Sequence, residues 1–280
     1  MRPAHYRPYS RFYSPIAIAV FTTICTLAAT ALCVSCSRSR PVTSRTSSDQ
    51  ASTDSPSLRI CTTGDYPPLS HRDPVTGLYA GVDIEMARHL AGYLGRTPRF
   101  VATTWKSLMT DIATPGKCDV AVGGISKTPS REQLADFTQP YLNSGKTPLA
   151  TVSNAGRFVS IEQINRYGVR VIENAGGTNE QFARTNFPKA TLTVWQDNTS
   201  VFDQLIAGKA DVMITDAIEA VYQEKQHPEL RAVHPEQPFT IDHKAYMLPK
   251  RSQLTEQTNH WLNQALADGT FSHLYNQWIK

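Results

Sequence analysis

The chain has 280 residues, with 28 basic and 24 acidic side chains and a formal net charge of +4 at pH 7. The whole excess lies in residues 1–57, which hold six Arg and two Asp, so residues 58–280 carry no net charge. This distribution argues against binding to a nucleic-acid backbone. Residues 58–280 are numerous enough for one large domain or for two smaller lobes with cores of their own.

The first 36 residues have the pattern of an export signal. Several Arg precede the apolar segment "PIAIAVFTTICTLAATALCVSC", and small residues crowd its end. A permanent transmembrane helix is the alternative, because the segment is long enough to span a bilayer. Cys36 is a candidate lipid-attachment site, although Cys33 stands where lipoproteins usually have Leu. Residues 37–57 are rich in Ser and Thr, which predicts a disordered tether.

From Leu58 onward, short apolar segments alternate with amphipathic ones, which predicts an α/β fold with mostly parallel sheets and ligands at the carboxyl ends of strands. Strands are predicted at or near 58–63, 99–104, 118–124, 169–173, 191–195, 211–215 and 244–249. Helices are predicted at 82–95, 108–113, 178–186, 200–208, 254–268 and 271–279.

A short internal repeat suggests two similar lobes. The segments "GKCDVAVGGIS" (116–126) and "GKADVMITDAI" (208–218) share G-K-x-D-V, each after a predicted helix and before a loop. Coincidence is the alternative, because G-K-x-D is a common turn. The two-lobe interpretation places the first lobe at 58–147, the second at 148–243 and a return to the first at 244–280, with the ligand cleft between the lobes.

Cys61 and Cys118 are the cysteines outside the leader, and their spacing is not that of a metal site. Both fall in predicted strands that could be neighbours in a parallel sheet. A disulfide in an oxidising compartment and a pair of buried free thiols therefore both remain open.

Two aromatic residues follow predicted strands. The loop "TTGDYPPLS" displays Asp65 and Tyr66, and "TTW" places Trp105 after another strand. An aromatic ring at the end of a strand suits the wall of a pocket for a flat ligand. A plain turn and a core Trp are the alternatives.

Two loops are candidate anion sites. In "GGISKTPSR", Gly123 and Gly124 let backbone amides approach a ligand closely, and Ser126 and Arg131 suit a carboxylate. The alternative there is a tight loop with a surface Arg.

The second such loop, "GGTNE", offers Thr178 and Asn179 at a helix start, where free N–H groups favour anions. One such loop in each lobe indicates a ligand with a carboxylate. Lys146, in "SGKTP", is either solvated or a second cation for a second carboxylate.

The segment "ITDAIEA" carries two acids, Asp216 and Glu219, three residues apart at the end of a predicted strand. If a helix begins at Asp216, both acids share one of its faces. An amino group would need one of them. The alternative for Glu219 is an exposed acid in the first turn, favoured by the helix dipole.

From Leu58 to its end, the chain resembles the periplasmic amino-acid-binding proteins of the two-lobe, type II class. The segment "GGISKTPSR" is similar to their carboxylate-binding loop, and Asp216 falls where they hold the ligand's amino group. Within this superfamily the chain resembles more closely the periplasmic cyclohexadienyl dehydratases, enzymes with the binding-protein fold. The segments that carry this likeness are "TTGDYPP", "TTW", "GKTP", "GGTNEQFARTN", "TDAIEA" and "HPELRAVHPEQPF".

The resemblance implies prephenate and arogenate as substrates, decarboxylated and dehydrated without a cofactor or a metal. It assigns Glu219 as the catalytic acid and leaves Lys146 either binding a carboxylate or acting on that acid. We expect Glu219 to be neutral near pH 7, because a closed cleft desolvates it and Asp216 repels its charge. The alternative functions are a receptor for an amino acid or dicarboxylate, feeding an importer, and a ligand sensor.

Overall fold

The computed structural model describes residues 55–279. The predicted export signal, its transmembrane alternative, Cys36 and nearly all of the predicted tether lie outside these residues. Ser57, the last residue of the predicted tether, already belongs to the first strand. Within residues 55–279, no helix is both long and apolar enough to cross a membrane.

The strands, in chain order, are β1 Ser57–Thr62, β2 Asp65–Tyr66, β3 Ser70–Arg72, β4 Tyr79–Ala80, β5 Thr97–Ala102, β6 Val120–Ala121, β7 Ala135–Phe137, β8 Leu142–Ser144, β9 Lys146–Thr151, β10 Arg170–Asn174, β11 Thr191–Trp195, β12 Val212–Asp216, β13 Leu230–Ala232, β14 Asp242–Lys244 and β15 Met247–Pro249. The helices are α1 Val82–Tyr93, α2 Leu108–Ala113, α3 Pro129–Leu134, α4 Ile161–Ile164, α5 Thr178–Asn186, α6 Val201–Ile206, α7 Ala217–Gln226, α8 Thr255–Ala267 and α9 Thr270–Ile279, with a 3₁₀ turn at Ala155–Arg157.

Two five-stranded sheets organise the fold, and they have the same plan. Their strand orders are β5-β1-β6-β15-β7 and β11-β10-β12-β9-β13. In each sheet the first three strands are parallel and the last two pair antiparallel. The sheets are therefore mixed rather than mostly parallel. Only the parallel pairs have the helical crossover that such pairing requires.

The strands β8 and β14 form a two-stranded antiparallel ribbon. The chain passes from the first sheet to the second through β8 and returns through β14. The lobe boundaries predicted near residues 147 and 243 lie beside this ribbon, and their exact positions stay a prediction.

The two copies of the internal repeat lie at equivalent places in the two sheets. Both G-K-x-D-V segments lead into the third strand of their sheet, β6 or β12. Gly116 and Gly208, which open the two segments, adopt φ values of +77° and +70°. A glycine suits this left-handed conformation, which explains why each turn has one.

Several predicted elements coincide with the observed ones, including α2, α5 and β11. The predicted strand 118–124 is reduced to β6, because Gly123 and Gly124 adopt φ values of +114° and +72° and leave the extended conformation. The helix α1 buries an apolar stripe that includes Ile84, Ala87, Leu90 and Ala91. Residues of α8 and α9 belong to the same buried cluster as α1.

Cys61 and Cys118 form a disulfide, with their Cα atoms 5.6 Å apart. This outcome decides between the two alternatives left open by the sequence. Cys61 lies in β1, and Cys118 lies just before β6, the parallel neighbour of β1. Both sulfurs belong to a small buried cluster, so the bond joins two central segments of the first sheet.

Candidate active site

A small cavity is lined by residues that follow strands of both sheets. The lining residues are Tyr66, Trp105, Gly124, Ser126, Arg131, Asn174, Gly177, Thr178, Asn179, Asp216 and Lys244. Most side chains predicted from the sequence are therefore brought to one place. Four of the predicted residues, Asp65, Gly123, Lys146 and Glu219, are not part of this lining.

Asp216 ends β12, directly before α7, and its carboxylate is the centre of the site. Lys146 Nζ donates to its Oδ1 at 2.9 Å, and Lys244 Nζ donates to its Oδ2 at 2.5 Å. The hydroxyl of Tyr66 also donates to Oδ2, at 2.5 Å. Burial alone raises the pKa of Asp216, but the two lysine charges outweigh it and hold the pKa well below its usual value. Asp216 is thus an ionised carboxylate.

Lys146 opens β9 and is buried behind the cavity wall. Its ammonium donates to Thr178 Oγ1 at 2.8 Å, to Asn179 Oδ1 at 2.6 Å and to Asp216 Oδ1 at 2.9 Å. A lysine ammonium has three N–H groups, and here protein acceptors engage all three. Lys146 therefore has no N–H left for a ligand carboxylate in this arrangement.

Lys244 is a site residue that the sequence reasoning missed. Its side chain is only 1% exposed, lines the cavity, and donates to Asp216 Oδ2 and, at 2.8 Å, to Ser126 Oγ. Burial lowers its pKa, while the charge of Asp216 opposes that shift. One signal was available: Lys244 directly precedes the apolar run "AYML", as Lys146 precedes "TPLA".

Glu219 lies in the first turn of α7 and is fully buried, so the alternative of an exposed first-turn acid is excluded. Thr215 donates to its Oε2, and Oε1 has no hydrogen-bond partner among the described residues. Burial first, and then the charges of Asp216 and Asp65, raise the pKa of Glu219 to about 8. Glu219 is therefore protonated at neutral pH.

The aromatic wall comes from the first sheet's side of the cavity. The rings of Tyr66 and Trp105 meet edge to face, with centroids 5.7 Å apart. The indole N–H of Trp105 donates to Asp65 Oδ1 at 3.0 Å. Asp65 thus orients Trp105 from behind the lining instead of facing the cavity.

The expectation for the glycine amides is wrong. The N–H groups of Gly123 and Gly124 donate to Asp83 Oδ2, at 3.0 and 2.7 Å. Asp83, a buried residue at the start of α1, already occupies the position expected for a ligand anion. A Cβ on Gly124 would lie 2.6 Å from the ring of Tyr66, so this glycine allows the close approach of a protein side chain.

Arg131 lines the cavity with a guanidinium that makes one hydrogen bond in the described chain, to the carbonyl of Ser126 at 2.9 Å. Burial lowers its pKa, and the negative charge of Asp216 opposes this shift. Its remaining N–H groups leave room for the two-point binding of a carboxylate that arginine favours.

Thr178 and Asn179 begin α5, as predicted, and their side-chain oxygens accept from Lys146. The amide nitrogen of Asn179 donates to Asn174 and to Thr215, so that side chain is fully engaged. The hydroxyl hydrogen of Thr178 remains available to a ligand at the cavity.

Two cations, Arg131 and Lys244, line the cavity together with the Asp216 carboxylate. Lys146, outside the lining, has Asp242 as a further carboxylate neighbour at 3.8 Å. Two cations at one small cavity suit a ligand with two carboxylates. Among residues 55–279, no three His, Cys, Asp or Glu side chains are grouped to hold a metal ion. The functional groups at the cavity are cations, an ionised carboxylate, hydroxyls, amides, two aromatic rings and, behind them, a protonated carboxyl.

Residues 58–280 match the family model of bacterial extracellular solute-binding proteins, family 3. The chain is 46% identical, over 80% of its length and 82% of the relative, to a cyclohexadienyl dehydratase of Pseudomonas aeruginosa. It is 24% identical, over 77% of its length and 80% of the relative, to the L-cystine-binding protein of Escherichia coli.

A solved structure with a similar fold is that of an ancestral amino-acid-binding protein described as a precursor of cyclohexadienyl dehydratase. The TM-score is 0.73 and the identity 35%, with 80% of this chain and 95% of that one covered. The similarity supports the type II, two-lobe binding-protein architecture that the alternation of strands and helices predicts. Relatives of this architecture thus include both an enzyme and binding proteins.

Proposed function

This chain belongs to family 3 of the bacterial extracellular solute-binding proteins, and we propose that it is a cyclohexadienyl dehydratase. It converts prephenate to phenylpyruvate, and arogenate to phenylalanine, with release of CO₂ and water and without a cofactor. The observation that carries this proposal is Glu219, a buried carboxyl that is neutral at physiological pH beside an ionised one.

The alternative is a receptor that delivers an amino acid to an importer. Such a receptor would need Asp216 to bind the ligand's ammonium group. Here both oxygens of Asp216 already accept from Lys146, Lys244 and Tyr66. A ligand ammonium at this place would meet two lysine ammonium groups, so the arrangement disfavours the receptor.

The substrate is held by its charges and by its ring. Arg131, with the hydroxyl of Thr178, binds the side-chain carboxylate, and Tyr66 and Trp105 flank the ring. Lys244 takes the role of the second cation at the cavity, because its third N–H has no hydrogen-bond acceptor among the described residues. Lys146 acts from behind the wall, through other side chains.

In the reaction, the bond between the ring and its carboxylate breaks, and that carboxylate leaves as CO₂. The electron pair of the broken bond completes the aromatic ring, and the bond from the opposite ring carbon to its hydroxyl breaks. The departing hydroxide takes the proton of Glu219 and leaves as water. General acid catalysis of this kind contributes about 100- to 10,000-fold to a rate. Glu219 then recovers a proton from solvent.

We place the protein in the periplasm, on the basis of its extracellular binding-protein family and of the signal-like residues 1–36. Attachment to a membrane through a lipid on Cys36 stays a prediction from the sequence. Its test is whether the mature protein partitions into detergent, and whether Cys36→Ala abolishes this partitioning.

The direct test of the activity is to mix the purified protein with prephenate and to follow the appearance of phenylpyruvate. The proposal expects turnover without added metal or cofactor. Tight binding of an ordinary amino acid, with no product from prephenate or arogenate, would instead establish the receptor.

A further inference from the structure

We infer that Lys146, Asn179 and Thr215 form a positioning chain that holds the acidic proton of Glu219 on one oxygen, Oε1. This inference rests on the proposed function, since it concerns the acid of that reaction. It gives Lys146 a role that needs no contact with the substrate.

The positioning chain begins with a group that can only donate hydrogen bonds. Lys146 Nζ lies 2.6 Å from Asn179 Oδ1. An ammonium group only donates hydrogen bonds, so the atom of Asn179 that faces it must be the amide oxygen. The orientation of the Asn179 amide is thereby determined.

The amide nitrogen of Asn179 consequently faces the opposite way. It donates to Thr215 Oγ1 at 3.2 Å and to Asn174 Oδ1 at 3.3 Å. The oxygen of Thr215 is therefore an acceptor from Asn179. Among the described residues Glu219 Oε2 is the acceptor within reach of its single hydrogen, so we assign that hydrogen to Glu219 Oε2.

Glu219 Oε2 accepts that hydrogen, so in the neutral acid the proton resides on Oε1. A carboxylic acid without such a partner can carry its proton on either oxygen. Oε1 is buried and has no other protein partner in the described chain, so its O–H is the free donor of the acid, assigned here to the departing hydroxyl. The positioning chain thus holds the proton of Glu219 on Oε1 before the substrate binds.

Glu219 titrates among several other groups, and the variants below leave them in place. The ionisable side chains whose charges interact with it are Asp65, Tyr66, Glu173, Asp216 and Lys244. Burial raises the pKa of Glu219, and the hydrogen bond from Thr215 opposes that shift. Loss of this bond should therefore raise the pKa further.

The test is Thr215→Val, which keeps the shape of the side chain and removes its hydroxyl. A matched control exists in Thr147→Val. Thr147 is the cross-strand partner of Thr215, is equally buried, and donates to the carbonyl of Val233 at 2.5 Å and not to the acid. Thr215→Ser restores the hydroxyl and should rescue the function.

Two readouts are measured. The first is the pH dependence of kcat/KM with prephenate. The second is the infrared carboxyl band of Glu219, assigned by its loss in Glu219→Gln and titrated without substrate. For Thr215→Val we expect kcat to fall about 10- to 100-fold while KM stays within about twofold. We expect the pKa from both readouts to rise by a few tenths to about one pH unit.

The inference is overturned if the Thr215→Val pKa matches that of the wild type, or if Thr147→Val raises the pKa equally. It is also overturned if Thr215→Ser fails to restore the wild-type pKa. A wild-type protein that does not convert prephenate would overturn the proposed function alone. The infrared titration would still decide whether Thr215 controls the acid, so the two failures are distinguishable.

Discussion

Asp83 and Asp216 are both buried carboxyl groups close to the site, and they differ in the charge of their partners. Asp83 accepts from the amides of Gly123 and Gly124 and from the hydroxyls of Tyr141 and Tyr246, at 2.5 to 3.3 Å. All of these donors are neutral. Burial outweighs them and raises the pKa of Asp83 to about 6.

Asp216 is buried to a similar degree, but two of its three donors are lysines. Its pKa lies below the usual value in spite of its burial. One helical turn away, Glu219 has a single neutral donor, and its pKa rises to about 8. The ionisation of these acids therefore follows the charge of their partners more than the extent of their burial.

The largest effect is expected from Glu219→Gln, which keeps the shape of the acid but cannot supply its proton. We expect kcat with prephenate to fall about 100- to 10,000-fold, with little change in KM, since the lost interaction acts in the transition state. Glu224→Gln, on the same helix, is the matched control and should keep most activity. A Glu219→Gln enzyme with near wild-type kcat would end the assignment.

The next effect concerns the cation at the cavity. Lys244→Met should lower kcat/KM for prephenate by about 10- to 100-fold, mainly through KM, because a hydrogen bond to a charged group is lost. Lys250→Met, whose parent side chain is half exposed and pairs with Asp136, serves as the control. Equal KM values for wild type and Lys244→Met would show that Lys244 does not bind the substrate.

The pH dependence tests the neutral state of Glu219. The active form is protonated, so kcat/KM should be constant at neutral pH and fall about tenfold per pH unit above about 8. Asp216 stays ionised through this range, and Lys244, whose pKa is lowered by burial, can only steepen the alkaline fall when it loses its proton. The measurement is kcat/KM with prephenate between pH 5 and 10, at constant ionic strength. Activity that already falls between pH 5 and 6 would mean that the pKa is not raised.

The last comparison concerns stability, and it separates Asp83 from Asp216. The folded-state pKa of Asp83 is raised to about 6 from a usual 3.8, so the folded protein binds this proton more tightly than the unfolded chain. Wild-type stability therefore declines as pH rises from about 4 to 6. Residue 83 does not titrate in Asp83→Asn. The free energy of unfolding of this variant should therefore rise relative to that of the wild type by about 2–3 kcal/mol over this pH range.

For Asp216→Asn we expect the opposite pH dependence of the free energy of unfolding relative to the wild type. The pKa of Asp216 is lowered in the fold, so its contribution to stability is present above about pH 4 and is lost as pH falls. Urea unfolding of the wild type and both variants at about pH 2.5, 4 and 7 measures the two differences, that of Asp83 between pH 4 and 7 and that of Asp216 below pH 4. Equal pH slopes for the two variants would contradict the contrast between the two carboxyl groups.

The alternation of strands and helices was predictable because its causes are local. The hydrophobic periodicity of each segment and the turn residues beside it predict the helix Thr178–Asn186 and the strand Thr191–Trp195. The repeated turns at Gly116 and Gly208 also indicated two similar sheets. The mixed pairing of each sheet escaped prediction, because β9 and β15 reach their places through the ribbon and not through a crossover helix.

For the site, the sequence by itself determined which loops meet, because chemically suited residues follow successive strands and strands of one sheet end at the same edge. Only the tertiary structure decided what each residue does there. In the folded protein the amide of Gly124 donates to Asp83, and protein acceptors engage all three N–H groups of Lys146. The side chain of Lys244 lines the cavity. These outcomes depend on contacts between residues tens of positions apart. Hydrogen-bond saturation and desolvation act at such contacts, so no local pattern in the sequence records them.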